Sequence, residues 1–199
     1  MDKIDFVELA KYCQESFKNE HNTQNDKYVG TIFVAIFSDT VLTSRTPHIL
    51  KNAEKCILIH EYTQLAVTNF YSWYTVETID QNGCVLKDRI DDEFELKTFA
   101  AGGFANQRME LSAQGKTFYS CGTPFESNIK TMLKLYSRIK DIKSMKERML
   151  VADLFCKDNT ILELEKQVED FKFSNKLLEC ERNQYQHLLE EIKKMVFDK

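Results

Sequence analysis

Proline and glycine are scarce, with two and six among 199 residues. That scarcity excludes Pro- or Gly-rich linkers and low-complexity tracts as major parts of the chain. Six cysteines occur, Cys13, Cys56, Cys84, Cys121, Cys156 and Cys180, and no two are close enough to form a CxxC pair. Even scatter in a chain of this length reads as reduced thiols and predicts an intracellular, cytoplasmic location. No long apolar run is present. The most apolar stretch, Tyr28 to Phe37, is about half of the roughly 20 residues that a membrane-spanning helix needs, so no membrane association is expected. The start, MDKIDFVELAKY, lacks the basic region, apolar run and cleavage site of a signal peptide.

What is present describes a folded chain. Hydrophobic residues make up 43% and the net charge is -4, which excludes wholesale disorder. Charge is uneven. Residues 28–126 hold eight Lys/Arg against twelve Asp/Glu, and residues 127–199 hold fifteen against thirteen. An acidic body with a mildly basic tail does not favour general nucleic-acid binding.

Phe6, Leu9, Ala10, Cys13 and Phe17 recur at helical spacing and predict a helix over residues 2–19. The polar run NEHNTQND ends it as a loop. Tyr28 to Phe37 is rich in β-branched and aromatic residues and predicts a buried strand, which need not alternate. Thr46-Pro47 has the form of a cap followed by proline in the first turn, predicting a helix to about Cys56. Residues 54–74 fit a long buried helix or a pair of strands.

From Tyr74 to Ser120 the strand signals strengthen. YTVETID and CVLKDRI flank Asn82-Gly83, a hairpin dipeptide, and RMELSA and KTFYSC flank Gln114-Gly115. EFELKTF between them alternates in part, and AAGGFAN reads as a loop. Thr123-Pro124-Phe125-Glu126 combines a capping threonine, a first-turn proline and a returning glutamate, so a helix is expected from there to about Lys157. Asp158-Asn159-Thr160 then predicts a break, with Thr160 and Glu163 as a second capping box. The expected fold class is therefore α+β: an N-terminal helix, an antiparallel β-rich head over residues 1–122, and two long C-terminal helices over 123–199 carrying a coiled-coil seam.

The seam is the strongest pattern in the chain. Stepping by three and four from Ile161 gives Ile161, Leu164, Val168, Phe171, Asn175, Leu178, Arg182, Tyr185, Leu189, Ile192 and Val196. Nine of these eleven are apolar, and the spacing never slips, which an ordinary surface helix rarely sustains. Asn175 at an a position is a device that fixes register in a parallel dimer, and Arg182 marks a weak or wet layer. In a parallel pair the flanking contacts Gln167–Lys172, Ser174–Glu179, Glu181–Gln186 and Leu188–Lys193 are free of repulsion. Two arrangements stay open: a seam between chains, or an antiparallel hairpin of helices 124–157 and 161–197. Leu162, Phe173, Leu177, Leu188 and Met195 lie off the seam and widen the apolar surface. The seam between chains, with a homo-oligomer and a dimer favoured, is the expectation taken forward. Pairing with another helical protein would use the same surface.

The remaining constellations are weaker. Cys56 and His60 are four apart, but the other histidines, His21, His48 and His187, complete no metal motif, and Gln64 breaks the HExxH spacing. Cys121 precedes an expected helix start, where the dipole would lower its pKa. A strand-end cysteine without a role is the more ordinary meaning. Gly102-Gly103 lacks phosphate-cradling spacing. Asp88, Asp91, Asp92, Glu93 and Glu95 lack EF-hand spacing and read as a solvated acidic loop. FYSWY at residues 70–74 has no Lys or Arg between Lys55 and Lys87, so its aromatics are expected to pack rather than stack on bases. Residues 130–148 carry a net charge of +5, and Lys130, Lys134, Arg138 and Arg148 share one helical face opposite Met132, Leu135, Ile139 and Ile142. That face could meet an anionic partner. These patterns predict no enzyme, no metal and no cofactor. They predict a structural or protein–protein interaction scaffold assembled through its C-terminal coiled coil, and the alternative is a nucleic-acid-associated protein using the 130–148 face.

Overall fold

A computed structural model describes residues 4–38, 40–66, 69–101, 106–123 and 126–197. Its class is α+β, with an N-terminal helix, antiparallel sheets and a long C-terminal helix. The elements in chain order are α1 (Phe6–Glu20), β1 (Asp26–Ile36), β2 (Val41–Ser44), β3 (Lys55–Ala66), β4 (Asn69–Ile79), β5 (Val85–Lys87), β6 (Phe94–Ala101), β7 (Asn106–Ala113), β8 (Lys116–Cys121), α2 (Glu126–Ile139) and α3 (Met145–Phe197). The chain forms two compact units, Met1–Asp153 and Leu154–Lys199.

In the first unit, α1 begins at Asp5, whose side chain accepts from the amides of Val7 and Glu8. This cap supplies partners for amides that no helical turn can satisfy. Phe6, Ala10, Cys13 and Phe17 form the buried stripe. The first three pack with Phe33 and Ala35 of β1, Cys56 and Leu58 of β3, Ile79 of β4, and Leu50 and Ala53 between strands. The sheet order is β2-β1-β3-β4-β5, antiparallel throughout. Its inner strands are buried on both faces: Thr31 to Ala35 and Cys56 to His60 are each five consecutive buried residues. That explains why the Tyr28–Phe37 stretch does not alternate. The ambiguous segment 54–74 is a pair of strands, β3 against β4, with Ile59 opposite Val76 and Leu65 opposite Phe70.

The second sheet runs β6-β7-β8. Both expected hairpins form. Gly83 has φ +80°, and at the β7–β8 turn Gln114 and Gly115 have φ +50° and +74°. Two successive left-handed residues are what a type I′ turn requires. The core of the AAGGFAN loop, 102–105, lies outside the described residues, as do Pro124 and Phe125.

Three expectations fail in informative ways. Thr46-Pro47 opens only a 3-10 turn, Pro47–Leu50, and Cys56 lies in β3. Thr46 gives no side-chain cap, and its hydroxyl meets His48 Nδ1 at 2.6 Å instead. The break expected at Asp158-Asn159-Thr160 is absent. Asn159 Nδ2 donates to Phe155 O at 2.9 Å and Thr160 Oγ1 donates to Cys156 O at 3.0 Å, so both side chains fold back on helical carbonyls rather than capping. The break sits at residues 140–144, and α3 is one helix of 53 residues, about 80 Å long. The expected pair of helices 124–157 and 161–197 is therefore a 14-residue α2 followed by this single long α3, and a hairpin turning at 158–160 does not form. Ser144 starts α3, its hydroxyl accepting from the Glu147 amide at 3.4 Å.

Arg148 holds that break. Its guanidinium forks onto the Glu93 carboxylate, donates to the carbonyls of Ile142 and Lys140, and lies 4.9 Å from the Phe94 ring centroid. Beside it, Tyr136 of α2 donates its hydroxyl to Asp91 Oδ2 at 2.5 Å, and the amides of Glu93 and Phe94 donate to Asp91 Oδ1. The acidic stretch is thus anchored through Asp91 and Glu93, while Asp92 and Glu93 remain exposed.

Burial alone would raise the Asp91 carboxyl, but the Tyr136 hydroxyl, the two amides and the Lys55 ammonium hold it below its usual value. A carboxyl that titrates lower in the folded chain contributes fully above the ordinary carboxylate pKa of about 3.9. That contribution disappears as pH falls through the lower folded value. Tyr136→Phe should therefore lower stability at pH 7 by roughly 1–3 kcal/mol, and the deficit should shrink as pH falls from 5 toward 2. Urea unfolding of both proteins across that range checks it, and a deficit independent of pH would contradict it.

Candidate interaction surface

The long helix carries the seam. In a 53-residue α-helix, positions three and four apart share a face. Every residue from Thr160 to Met195 is exposed in the single chain. Ile161, Leu164, Val168, Phe171, Leu178, Tyr185, Leu189 and Ile192 are exposed large apolar side chains on the seam. Asn175 and Arg182 lie within it and are exposed as well. Val196 is helical, but its side chain lies outside the described residues.

Sequence reasoning missed the upstream part of this stripe. Because the helix does not break at 158–160, the same three-four count runs back to Lys157, Leu154 and Leu150. Leu150 is 59% exposed and Leu154 52%, whereas Arg148 and Ala152 are buried. The signal was available. Ser144-Met145-Lys146-Glu147 has the S-x-x-E form of a capping box and marks the true helix start. Thr123-Pro124 and the polar triplet at 158–160 carry signals of the same kind and compete with it.

The off-seam residues are also exposed. Phe173, Leu177 and Cys180 follow i, i+4, i+7 spacing, and Leu162, Leu188 and Met195 flank the seam. The apolar surface is therefore wider than a two-residue stripe over part of its length.

The basic face is smaller than the composition implied. Lys130, Lys134 and Arg138 lie on α2, opposite the buried Met132, Leu135 and Ile139. Arg148 is not among them. It lies beyond the break at 140–144, is 4% exposed, and is committed to Glu93. The Glu93 hydrogen bond raises its pKa further, so it stays a cation with its donors occupied. Three exposed or half-buried cations on one short helix remain.

His60 and Cys56 do not converge on a ligand. His60 is buried, with Nδ1 2.8 Å from Thr31 Oγ1 and Nε2 3.2 Å from Glu77 Oε2, and its ring stacks 4.3 Å from Phe17. The chain of hydrogen bonds continues from Thr31 to Tyr28 and Gln14. It is a satisfied core histidine bracing α1 against the sheet. Among the described residues no group of three or more His, Cys, Asp or Glu could hold a metal ion.

A cavity of about 230 Å³ opens beside this network, lined by Cys13, Ser16, Glu20, Glu77 and Lys87 among others. Its thiol is unsuited to attack, because burial and then the Glu77 carboxylate push the Cys13 pKa up. Cys121 closes β8 as a strand-end cysteine, without the lowered pKa that a helix start would give. Burial pushes its thiol up to about 11, and Sγ lies 3.9 Å from Met109 O. Trp73 of the aromatic FYSWY run sits partly buried in β4 with Nε1 unpaired. Among the described residues, no helix is long and apolar enough to cross a membrane.

A thiolate is the reactive form of cysteine, so at pH 7.5 a maleimide should label the exposed Cys84 and Cys180 much faster than Cys121. Mass mapping of labelled peptides with time checks this, and Cys121 reacting first would overturn the assignment of an inert thiol. Comparison of the chain with protein-family models, with curated proteins and with solved structures finds no match.

Proposed function

We propose that this protein is a non-enzymatic oligomeric scaffold, which assembles through the α3 seam and presents its α+β unit as the specific surface. The supporting observation is the exposed, unslipped apolar stripe from Leu150 to Ile192 on one helix. Contiguous apolar surface of that extent is rare on a monomer and marks an interaction site. An isolated amphipathic helix gains most of its stability from packing its apolar face, so a helix this long calls for a partner. The cavity beside Glu77 offers no nucleophile with a lowered pKa, and the most buried histidine is fully engaged, which supports a non-catalytic reading.

Leu178→Asp combined with Leu189→Asp places two carboxylates in the seam. Burying each without a partner costs several kcal/mol. The expected outcome is a fall in solution mass to one chain, with partial loss of helix and an unchanged β signal. Light scattering and circular dichroism measure both. A wild-type chain that is monomeric at high concentration would overturn the proposal.

A further inference from the structure

We infer that the occupant of the seam is a second copy of this chain, lying parallel and in register. This rests on the oligomeric reading above and specifies its geometry. The full seam, counted from Leu150, has fourteen positions alternating between d and a. Three of them are polar: Lys157 at d, and Asn175 and Arg182 at a. These three discriminate between the possible pairings.

In a parallel pair each layer faces itself. A side chain at a packs beside the g residue just before its counterpart, and one at d packs beside the e residue just after it. Arg182 therefore meets Glu181 of the second copy, Lys157 meets Asp158, and Asn175 pairs with Asn175. Both buried cations gain an acid, and the amide gains an amide. Asp153 at g would face Asp158 at e, but the Lys157 layer lies beside that pair and offsets it.

An antiparallel pair cannot do this and also keep every layer of the seam. There a faces d, and the d positions are Leu150, Lys157, Leu164, Phe171, Leu178, Tyr185 and Ile192. Lys157 and the Tyr185 hydroxyl are their only polar groups. Placing Asn175 against Tyr185 sets Arg182 against Leu178. That register brings Glu179 beside Arg182 but leaves Leu150, Leu154, Lys157 and Ile161 of each copy without a seam partner, whereas the antiparallel register that keeps all fourteen layers sets Asn175 against Phe171 and Lys157 against Leu189. Desolvating a cation without a counter-charge is strongly unfavourable. A chain with a different seam would have to supply acids at matching positions, whereas a second copy carries them already.

A charge swap in the full-length chain tests this. Residues one apart on a helix do not face each other, so Glu181 and Arg182 of one chain do not form a pair by themselves. Glu181→Arg should weaken the dimer about tenfold by setting a second arginine against Arg182 in each copy. Glu181→Arg with Arg182→Glu should restore it, measured by sedimentation equilibrium. A chain with Cys84→Ser, Cys180→Ser and Leu178→Cys should form a covalent dimer on mild oxidation, and the same chain without Leu178→Cys should not. Two-chain mass with rescue and cross-linking is the expected result. A one-chain wild-type mass would overturn the scaffold reading as well. Two-chain mass without rescue or cross-linking would overturn only the parallel register, and a larger mass would overturn only the two-stranded pairing.

Discussion

The Arg148 guanidinium anchors the first turns of α3. It holds the Glu93 carboxylate, covers Phe94, and takes up the carbonyls of Lys140 and Ile142 that the end of α2 leaves without helical partners. A buried guanidinium is tolerable only with its donors engaged, and here four hydrogen bonds in two directions engage it. The fork also lowers the Glu93 pKa, so the pair stays ionised across the physiological range. Fixing Arg148 inward fixes the rotational phase of these turns. Ala152, four residues on, is buried, and Leu150 is left exposed. The exposed stripe begins at Leu150, on the side of these turns away from Arg148 and Ala152.

Much of the head was legible because its signals are local. Asp5 and the Phe6–Phe17 periodicity specify α1, and the Asn-Gly and Gln-Gly turns specify two hairpins through the left-handed backbone they tolerate. The segment 54–74 was not legible, because a strand buried on both faces loses the alternation that separates it from a buried helix. Its pairing with β1, Ile57 opposite Val34 and Ile59 opposite Ile32, is a long-range fact that no window of sequence contains.

The errors in the helical region share one cause. Thr160 and Asn159 have the chemistry of caps, but the same hydroxyl and amide can return to the carbonyl four residues back and leave the helix intact. Which outcome wins depends on the competing start. Ser144 has Glu147 behind it and Arg148 locking the preceding turn, so the break goes there. Arg148 likewise could not be assigned from charge alone. A helical wheel drawn across 130–148 places it with Lys134 and Arg138, but the wheel presumes a continuous helix, and the turn at 140–144 resets the phase.

A seam of this kind balances stability against definition. Filling positions 157, 175 and 182 with leucine would bury more apolar area and bind more tightly. It would also make neighbouring registers, orientations and strand numbers nearly equal in energy. Lys157, Asn175 and Arg182 reduce the gain in the proposed pairing, because their layers are wetter and less apolar. In the alternatives either the same groups lose their partners or the seam loses layers. Specificity is that difference rather than the absolute affinity. The three polar layers are spaced along α3, so a slip of one heptad moves all of them at once. Asn175 of one copy would then face Val168 and that of the other would face Arg182. The remaining Arg182 would face Leu189, and the g residues beside the two arginines would be Ser174 and Leu188 in place of Glu181. In the proposed pairing the long helix would derive its affinity from its apolar positions and its geometry from the three that are not.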